Sequence, residues 1–283
     1  GVSCSDLGYE ASRRALDNAG LRAEQIDFII FCSLSPDQMF PGSGVFLQDK
    51  LGIPGIGALD VRNQCSGFLY GLSVADSFVR IGKYQRILLV GSEVHSHSLD
   101  FSTPGRDVTV LFGDGAGAVI LGPSEEKERG ILSVHLHADG RFAHALELVV
   151  WDISRAPFVT HDMLNAGVQW PKMNGRLVFK HAVTRLPEVI REALDTNGVK
   201  LADVDHFLFH QANLRINELV ASGLGIPQEK VYSHIERFGN MSAATIPFLL
   251  DECLEAKAIK KGDLVLMAAF GAGFTWGSAL IRW

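Results

Sequence analysis

The strongest constraint on the fold of this chain is an internal repeat at a spacing of about 178 residues. Residues 15–21 (ALDNAGL) recur as residues 193–199 (ALDTNGV), and residues 26–28 recur as residues 204–206 at the same shift. Two later segments repeat at nearly this spacing: residues 56–60 as 231–235, and residues 86–91 as 263–268. Each half therefore predicts helix, strand, strand, helix and strand in one order.

Alternating strands and helices predict an α/β protein whose sheets are covered by helices. Two such halves predict a pseudo-twofold, five-layered α-β-α-β-α arrangement, with halves at residues 1–129 and 130–283. The strand predicted at 130–137 would find its repeat partner before residue 1, at about −47 for Ile131. We therefore expect that a segment of roughly 45–50 residues, including the first strand of the first half, is missing from this chain.

Composition and charge exclude several classes of protein. The net charge of −6, without a run of Lys and Arg, argues against a nucleic-acid-binding protein. No apolar run reaches the roughly 18 residues of a membrane span, and residues 1–6 do not resemble a signal peptide. The four cysteines form no C-x-x-C pair, so we expect reduced thiols and a cytoplasmic protein that binds neither membrane nor nucleic acid.

Cys65 is the first candidate catalytic residue. It lies between a short apolar segment, residues 56–60, and an apolar pattern with helical spacing that starts at Phe68. A cysteine in the first turn of a helix faces unpaired N–H groups and the positive end of the helix dipole, which favour the nucleophilic thiolate. The alternative interpretation is a buried structural cysteine.

His210 and Asn240 are the second and third candidates. His210 follows an apolar strand at 204–209, where ligands of α/β proteins bind. Asn240 follows the strand predicted at 231–235 and lies 175 residues after Cys65, so the repeat places both near related helix N-termini. A core histidine and a helix cap are the alternatives. The glycine-rich residues 270–279 are expected to bring further N–H groups to an oxyanion hole.

Four other segments favour less specific interpretations. His95 and His97 are spaced for metal binding, but no further ligand follows, and solvated or core histidines are favoured. Residues 112–118 lack the spacing and the Lys of a phosphate loop, so tight backbone packing is favoured. The irregular residues 139–176, which include Trp151, are expected to cap a pocket and select substrate. Met39 and Phe40, in a loop at 35–42, favour a pocket or subunit interface over the core.

Together these residues resemble the β-ketoacyl-acyl carrier protein synthase III family, which has the thiolase fold. The resemblance rests on Asn-Gln-Cys-Ser-Gly-Phe around Cys65, His-Gln-Ala-Asn-Leu-Arg from His210, Gly-Asn-Met-Ser-Ala-Ala around Asn240 and Gly-Phe-Thr-Trp-Gly-Ser near the end. It covers nearly the whole chain. It implies an acyltransferase of fatty acid or related synthesis that condenses an acyl group from acyl-coenzyme A, carried on Cys65, with malonyl-acyl carrier protein, with loss of CO₂.

The resemblance also implies roles for individual residues. His210 and Asn240 would stabilise the enolate, and the N–H groups of Cys65 and Ala272 would form the oxyanion hole. Binding of substrate and coenzyme A would involve Arg106, Phe112, Arg176, Phe179, Ala212, Asn213 and Phe270, although the family usually has Asn where Arg176 stands. Lys180 and Arg215 would dock the acidic carrier protein. No metal or cofactor beyond the two thioester substrates is implied, and the chain would form a homodimer.

Two other functions stay open. The same fold supports other acyl transfers from Cys65, such as ester formation or condensation without decarboxylation. A non-catalytic subunit that binds acyl groups or carrier protein is the third hypothesis, although such subunits usually lack the Cys or the His that this chain retains. The acyl starter itself is not predictable, since residues 146–173 depart most from the family.

Overall fold

The first half of the chain folds into a four-stranded sheet with helices on both faces. The structure, a computed structural model, describes residues 1–126, 128–150 and 152–283, so Trp151 lies outside it. The elements of this half are α1 (Cys4–Ala19), β1 (Phe28–Cys32), α2 (Ser43–Leu51), β2 (Gly57–Val61), α3 (Gly67–Arg80), β3 (Ile87–Glu93), α4 (Arg106–Thr109) and β4 (Gly115–Leu121).

Local sequence signals explain where α1 begins and ends. The Ser3 hydroxyl accepts a hydrogen bond from the Asp6 N–H at 3.3 Å, and the Asp6 carboxylate accepts one from the Ser3 N–H at 2.8 Å. This reciprocal pair is a capping box, which satisfies two N–H groups that a helix start leaves free. Gly20 ends the helix with a φ of 63°, a left-handed conformation that glycine adopts at little cost.

The second half adds another four-stranded sheet and a small hairpin. Its elements are β5 (Gly130–Ala138), β6 (Leu146–Glu147), α5 (His161–Asn165), β7 (Lys172–Met173), α6 (Gly175–Asn197), β8 (His206–Phe209), α7 (Leu214–Leu224), α8 (Ile235–Phe238), α9 (Thr245–Glu255), β9 (Leu264–Gly271) and β10 (Thr275–Arg282). β6 and β7 pair with each other in the otherwise irregular region between β5 and α6.

Strand order follows the predicted repeat. The first sheet has the order β2-β1-β3-β4 and the second the order β5-β10-β9-β8. β1 runs parallel to β3 as β8 runs parallel to β9, and β4 is antiparallel to β3 as β10 is to β9. On the side away from β9, β10 pairs with β5. On the side away from β3, β4 has no strand partner in the described ranges.

The helices and sheets stack in five layers. α1 and α2 cover the outer face of the first sheet, and α6 covers the outer face of the second, with α7 against it. Between the sheets lie α3, which contacts strands of both, and α9, which contacts β4 and β8. This middle layer carries the largest continuous core, with fully buried side chains such as Phe68 and Leu69. The predicted layered fold is confirmed.

The strand predicted at 231–235 is wrong. Only Val231 forms a bridge to the neighbouring strand, at Phe207 in β8. The residues that follow form hydrogen bonds with the Gln211 side chain instead of a strand. The Gln211 amide NH₂ donates to the Tyr232 carbonyl at 3.3 Å, and the Ser233 hydroxyl donates to the Gln211 side-chain oxygen at 2.8 Å. α8 starts at once afterwards, so the segment does not extend into a strand.

No helix in the described part of the chain combines the length and the apolar character that crossing a bilayer requires.

Candidate active site

Cys65 lies in a tight turn between β2 and α3. Residues Gln64–Ser66 form a single 3₁₀ turn, and α3 starts at Gly67. Gln64 has a φ of 45°, a left-handed conformation that costs a non-glycine residue energy. This turn directs Cys65 into the interior, where it is 6 % exposed. The predicted junction is confirmed, with Cys65 one turn ahead of the α-helix.

Hydrogen-bond donors converge on the sulfur of Cys65. The Ser242 hydroxyl lies 3.6 Å from Sγ, and the backbone N–H groups of Cys65 and Ala272 act on it as donors. Gly271 makes this approach possible, since a Cβ there would lie 2.8 Å from the Cβ of Cys65. An oxyanion hole needs two such N–H groups close to a nucleophile, where they can hold the oxygen of the carbonyl that it attacks.

The thiol form of Cys65 is nevertheless the resting form. Burial raises the pKa of Cys65 to about 11, with a further rise from the Glu93 carboxyl, and the donors offset only part of this. The N–H groups at this turn lower the pKa, as expected for a helix terminus, but the loss of water outweighs them at this depth, so the net shift favours the thiol.

A cavity of about 170 Å³ opens beside Cys65. Of the predicted site residues, Cys65, Phe112 and Ala272 line it. The irregular segment between β5 and α6 also contributes to its wall, through Leu146, Glu147, Leu148 and Pro171, in accord with the predicted pocket cap.

His210 follows β8 and is a neutral, buried imidazole. The backbone of His210 is held in place: its backbone N–H donates to the Ala268 carbonyl at 2.8 Å, and its backbone carbonyl accepts from the Asn217 side-chain amide at 3.2 Å. Both ring nitrogens are buried and have no hydrogen-bond partner among the residues that the structure describes. Burial lowers the pKa of His210 to about 3, with His234 and His95 adding to the shift. One ring nitrogen is thus available as a donor and the other as an acceptor.

Asn240 is held at both its backbone and its side chain. Its N–H donates to the Leu111 carbonyl at 2.8 Å, and its carbonyl accepts from the Gly113 N–H at 3.1 Å. The side-chain oxygen accepts from the Ser242 N–H at 2.8 Å, so the amide NH₂ is the group free to donate.

The repeat relates Cys65 to Ala243 rather than to Asn240. The residues Ser242–Ala244 form a 3₁₀ turn before α9, as Gln64–Ser66 do before α3. Ser242 has a φ of 46°, which matches the 45° of Gln64. The true shift here is 178 residues, and Asn240 lies three residues ahead of the equivalent position. The 175-residue relation between Cys65 and Asn240 is therefore wrong, although both segments lie at related helix N-termini.

The sequence interpretation did not identify Glu93, at the end of β3. Its carboxylate accepts hydrogen bonds from the N–H groups of Leu34 at 3.2 Å, Ser35 at 3.1 Å and Ala243 at 3.3 Å, and from the hydroxyls of Ser33 and Ser35. It is fully buried, and burial raises its pKa to about 7 despite these bonds. Glu93 thereby joins a loop of the first half to the turn that carries Ser242.

The glycines of residues 112–118 are required for close backbone packing, as predicted. A Cβ at Gly113 would collide with the Phe238 carbonyl, and one at Gly115 with the sulfur of Met241. These contacts hold the segment that carries Phe112 against the segment that carries Asn240. The two residues form a parallel bridge.

The residues that the resemblance assigns to coenzyme A lie outside the cavity wall, except Phe112. Arg106 is exposed beside Asp107, and Arg176 is exposed in the first turn of α6. Phe179 packs against the outer core of the second half, and Phe270 is buried in it. Ala212 and Asn213 are half-buried ahead of α7.

Lys180 and Arg215, the two residues assigned to carrier-protein docking, are exposed on the outer layer. Lys180 lies on α6 and Arg215 on α7, and these helices pack against each other. The Asn213 side chain accepts from the Arg215 N–H at 3.0 Å and caps the start of α7.

Within residues 1–126, 128–150 and 152–283, no three His, Cys, Asp or Glu side chains are grouped to hold a metal ion.

Comparison with known families agrees with this geometry. Residues 59–140 match the family model described as 3-Oxoacyl-[acyl-carrier-protein (ACP)] synthase III, and residues 194–283 match the one for its C-terminal part. A curated Beta-ketoacyl-[acyl-carrier-protein] synthase III from Xanthomonas euvesicatoria is 46 % identical over 279 residues, covering 99 % of this chain and 83 % of that protein.

Solved structures are similarly close. The 3-oxoacyl-[acyl-carrier-protein] synthase III of Aquifex aeolicus superposes with a TM-score of 0.90 at 38 % identity, covering all of this chain and 85 % of that one. The priming β-ketosynthase of the R1128 polyketide pathway gives a TM-score of 0.88 at 31 % identity, covering 99 % and 81 %. The chain belongs to the 3-oxoacyl-[acyl-carrier-protein] synthase III family of thiolase-fold condensing acyltransferases.

Proposed function

We propose that this protein catalyses the decarboxylative condensation of an acyl group from acyl-coenzyme A with malonyl-acyl carrier protein, with Cys65 as the nucleophile. One observation supports the assignment of Cys65: its sulfur lies at the wall of a cavity, and the N–H groups of Cys65 and Ala272 act on that sulfur as donors.

The first step transfers the acyl group to Cys65. The sulfur attacks the thioester carbonyl, coenzyme A leaves as its thiolate, and that thiolate takes up the proton released by the Cys65 thiol. The tetrahedral oxyanion accepts hydrogen bonds from the N–H groups of Cys65 and Ala272. Loss of one such donor typically costs about 3–4 kcal/mol of transition-state stabilisation.

The second step forms the carbon–carbon bond. Malonyl thioester loses CO₂, and the electron pair of the broken bond becomes an enolate whose oxygen accepts hydrogen bonds from His210 and Asn240. Since the pKa of His210 is lowered to about 3, the imidazole donates as a neutral group. The Asn240 amide has only its NH₂ group free, which suits the same task. The carbanion attacks the carbonyl carbon of acyl-Cys65, and the Cys65 sulfur leaves as a thiolate that takes up a proton from solvent to restore the thiol.

Binding of the large substrates would use the outer surface near the cavity. We propose that Arg106, Arg176, Phe179, Ala212, Asn213 and Phe270 contribute to the coenzyme A site. Lys180 and Arg215 would pair with acidic groups of the carrier protein, since both are exposed cations on adjacent helices. These roles rest on the family resemblance.

We further propose a homodimer. Exposed apolar side chains support it, among them Phe40, which is 80 % exposed in the loop that precedes α2, and Phe101 and Val110, which are 76 % and 77 % exposed. Such side chains are buried at little cost against a second subunit. A cytoplasmic location stays a prediction from the cysteines, which are all unpaired.

Intact-protein mass spectrometry tests the reaction. The protein is incubated with acyl-coenzyme A of increasing chain length and then with malonyl-acyl carrier protein, beside the Cys65→Ala variant. We expect an acyl mass only when Cys65 is present, and its discharge as a 3-ketoacyl product. An acyl mass that malonyl thioester does not discharge would favour another acyl acceptor, and no acyl mass with any donor would favour a non-catalytic binding protein.

A further inference from the structure

A second histidine, His95, lines the Cys65 cavity. It follows β3 by two residues and is 4 % exposed. Its ring packs against the Phe112 ring, another part of the cavity wall, at a centroid distance of 4.8 Å. His97, the other histidine of the motif, is exposed. The sequence interpretation of solvated or core histidines is therefore confirmed, with His97 solvated and His95 buried, and the structure adds that His95 contributes to the cavity wall.

The backbone around His95 is fixed in place. The N–H groups of His95 and Ser96 both donate to Oδ1 of Asp114, at 2.7 and 2.9 Å. The Ser98 hydroxyl lies 3.3 Å from the His95 carbonyl as a donor. Asp114 itself stands in the tightly packed glycine-rich segment, so the position of the imidazole in the wall is set by rigid neighbours.

The imidazole of His95 lacks a hydrogen-bond partner within the described part of the chain. Its Nε2 is buried and unpaired. Burial lowers the pKa of His95 to about 4, so at neutral pH the ring is uncharged, with one donor and one acceptor nitrogen. The wall around it combines the apolar side chains of Leu34, Leu99, Leu146 and Leu148 with the polar residues Arg62, Gln64, Ser98 and Glu147. Since buried polar atoms in proteins are normally paired, a partner from the contents of the cavity is expected.

We propose that His95 hydrogen-bonds a hydroxyl group on the acyl chain that Cys65 carries, so that the preferred starter is a short hydroxyacyl-coenzyme A. This rests on the proposed function of Cys65. The cavity has a volume of about 170 Å³, which suits a short acyl chain such as hydroxybutyryl. A hydroxyl both donates and accepts, so it can pair with either nitrogen of the neutral ring.

The test compares acyl groups that differ only by the hydroxyl. Acylation of Cys65 is followed by mass spectrometry with butyryl-coenzyme A and with the 2-, 3- and 4-hydroxybutyryl isomers, in the unmodified protein and in His95→Leu. His97→Leu, two residues away on the surface, is the matched control. Thermal unfolding of all three proteins establishes that they are folded.

We expect one hydroxybutyryl isomer to acylate Cys65 at least tenfold faster than butyryl at equal concentration. In His95→Leu this preference should vanish or reverse, with faster butyryl transfer, and in His97→Leu it should persist. A purely structural role of His95 would slow all donors alike and leave the ratio unchanged.

Two outcomes overturn the proposal, and they are distinguishable from failure of the proposed function. If the unmodified protein takes butyryl as fast as every hydroxybutyryl isomer, or keeps its preference in His95→Leu, the hydroxyl is not read by His95 while Cys65 remains the acyl carrier. If no donor acylates Cys65, the proposed function fails and this inference with it.

Discussion

Glu93 is expected to make the stability of this protein fall as the pH rises through neutrality. Its carboxyl is fully buried, and burial raises its pKa from 4.5 to about 7. Between these two pH values the folded protein keeps a proton that the unfolded chain has lost. The corresponding stabilisation is therefore fully present below about pH 4.5, decreases as the pH rises, and is gone above about pH 7.

The size of the effect follows from the shift. One pKa unit corresponds to about 1.4 kcal/mol, so the raised pKa corresponds to roughly 3 kcal/mol over the whole window, most of it between pH 5 and 8. Glu93→Gln keeps the size of the side chain and removes the titration. In the difference between the unfolding free energies of the unmodified protein and this variant, the contributions of all other titrating groups cancel to first order. This difference should therefore fall by roughly 3 kcal/mol over the whole window.

Equilibrium urea unfolding at pH 5, 6, 7 and 8 measures this difference. Glu10→Gln is the control, because Glu10 is an exposed residue of α1 whose side chain is 60 % accessible. For the control, the difference should stay constant within a few tenths of a kcal/mol, as is usual for surface substitutions. A difference for Glu93→Gln that is equally constant, or that grows with pH, would refute the argument that burial governs this carboxyl.

Three further predictions concern the site and the core. The rate at which iodoacetamide alkylates Cys65 should rise about tenfold per pH unit between pH 7 and 10, because the pKa of Cys65 is raised to about 11. Mass spectrometry measures this rate, and a rate that stops rising below pH 8 would contradict the prediction. Asn240→Asp should slow malonyl decarboxylation by roughly 100-fold, the effect of losing one oxyanion donor, and leave Cys65 acylation within severalfold in single-turnover assays; equal loss of both steps would contradict it. Gly71→Ala should lower the thermal midpoint, because its Cβ would lie 2.5 Å from the Cys32 sulfur and 2.7 Å from Leu89, and overpacking costs about 1–3 kcal/mol; an unchanged midpoint would count against this packing.

The repeat and the layering were predictable because they rest on local patterns. Residues 15–21 and 193–199 carry the same helix end, and Gly20 and Gly198 end α1 and α6 in the same left-handed conformation. Buried apolar strands and amphipathic helices at matched positions then leave few arrangements that cover both sheets. The division into halves at residues 1–129 and 130–283 stays a proposal.

Other features depend on tertiary contacts that a sequence pattern does not contain. The strand expected at 231–235 has apolar residues, but Gln211 binds its backbone instead. The sign of the Cys65 pKa shift is set by its depth of burial, and its helix-terminal position predicts the opposite sign. His95 and Glu93 are single polar residues whose importance appears only when the elements around them are assembled.

The matched turns at Gln64 and Ser242 explain why the candidate site needs both halves of the chain. Left-handed backbone at a non-glycine residue costs energy, and each half has it at the same place, one residue before Cys65 and one residue before Ala243. The two turns contact each other in the middle of the protein. The turn of the first half carries Cys65, the proposed nucleophile, and the turn of the second half supplies the hydroxyl beside its sulfur.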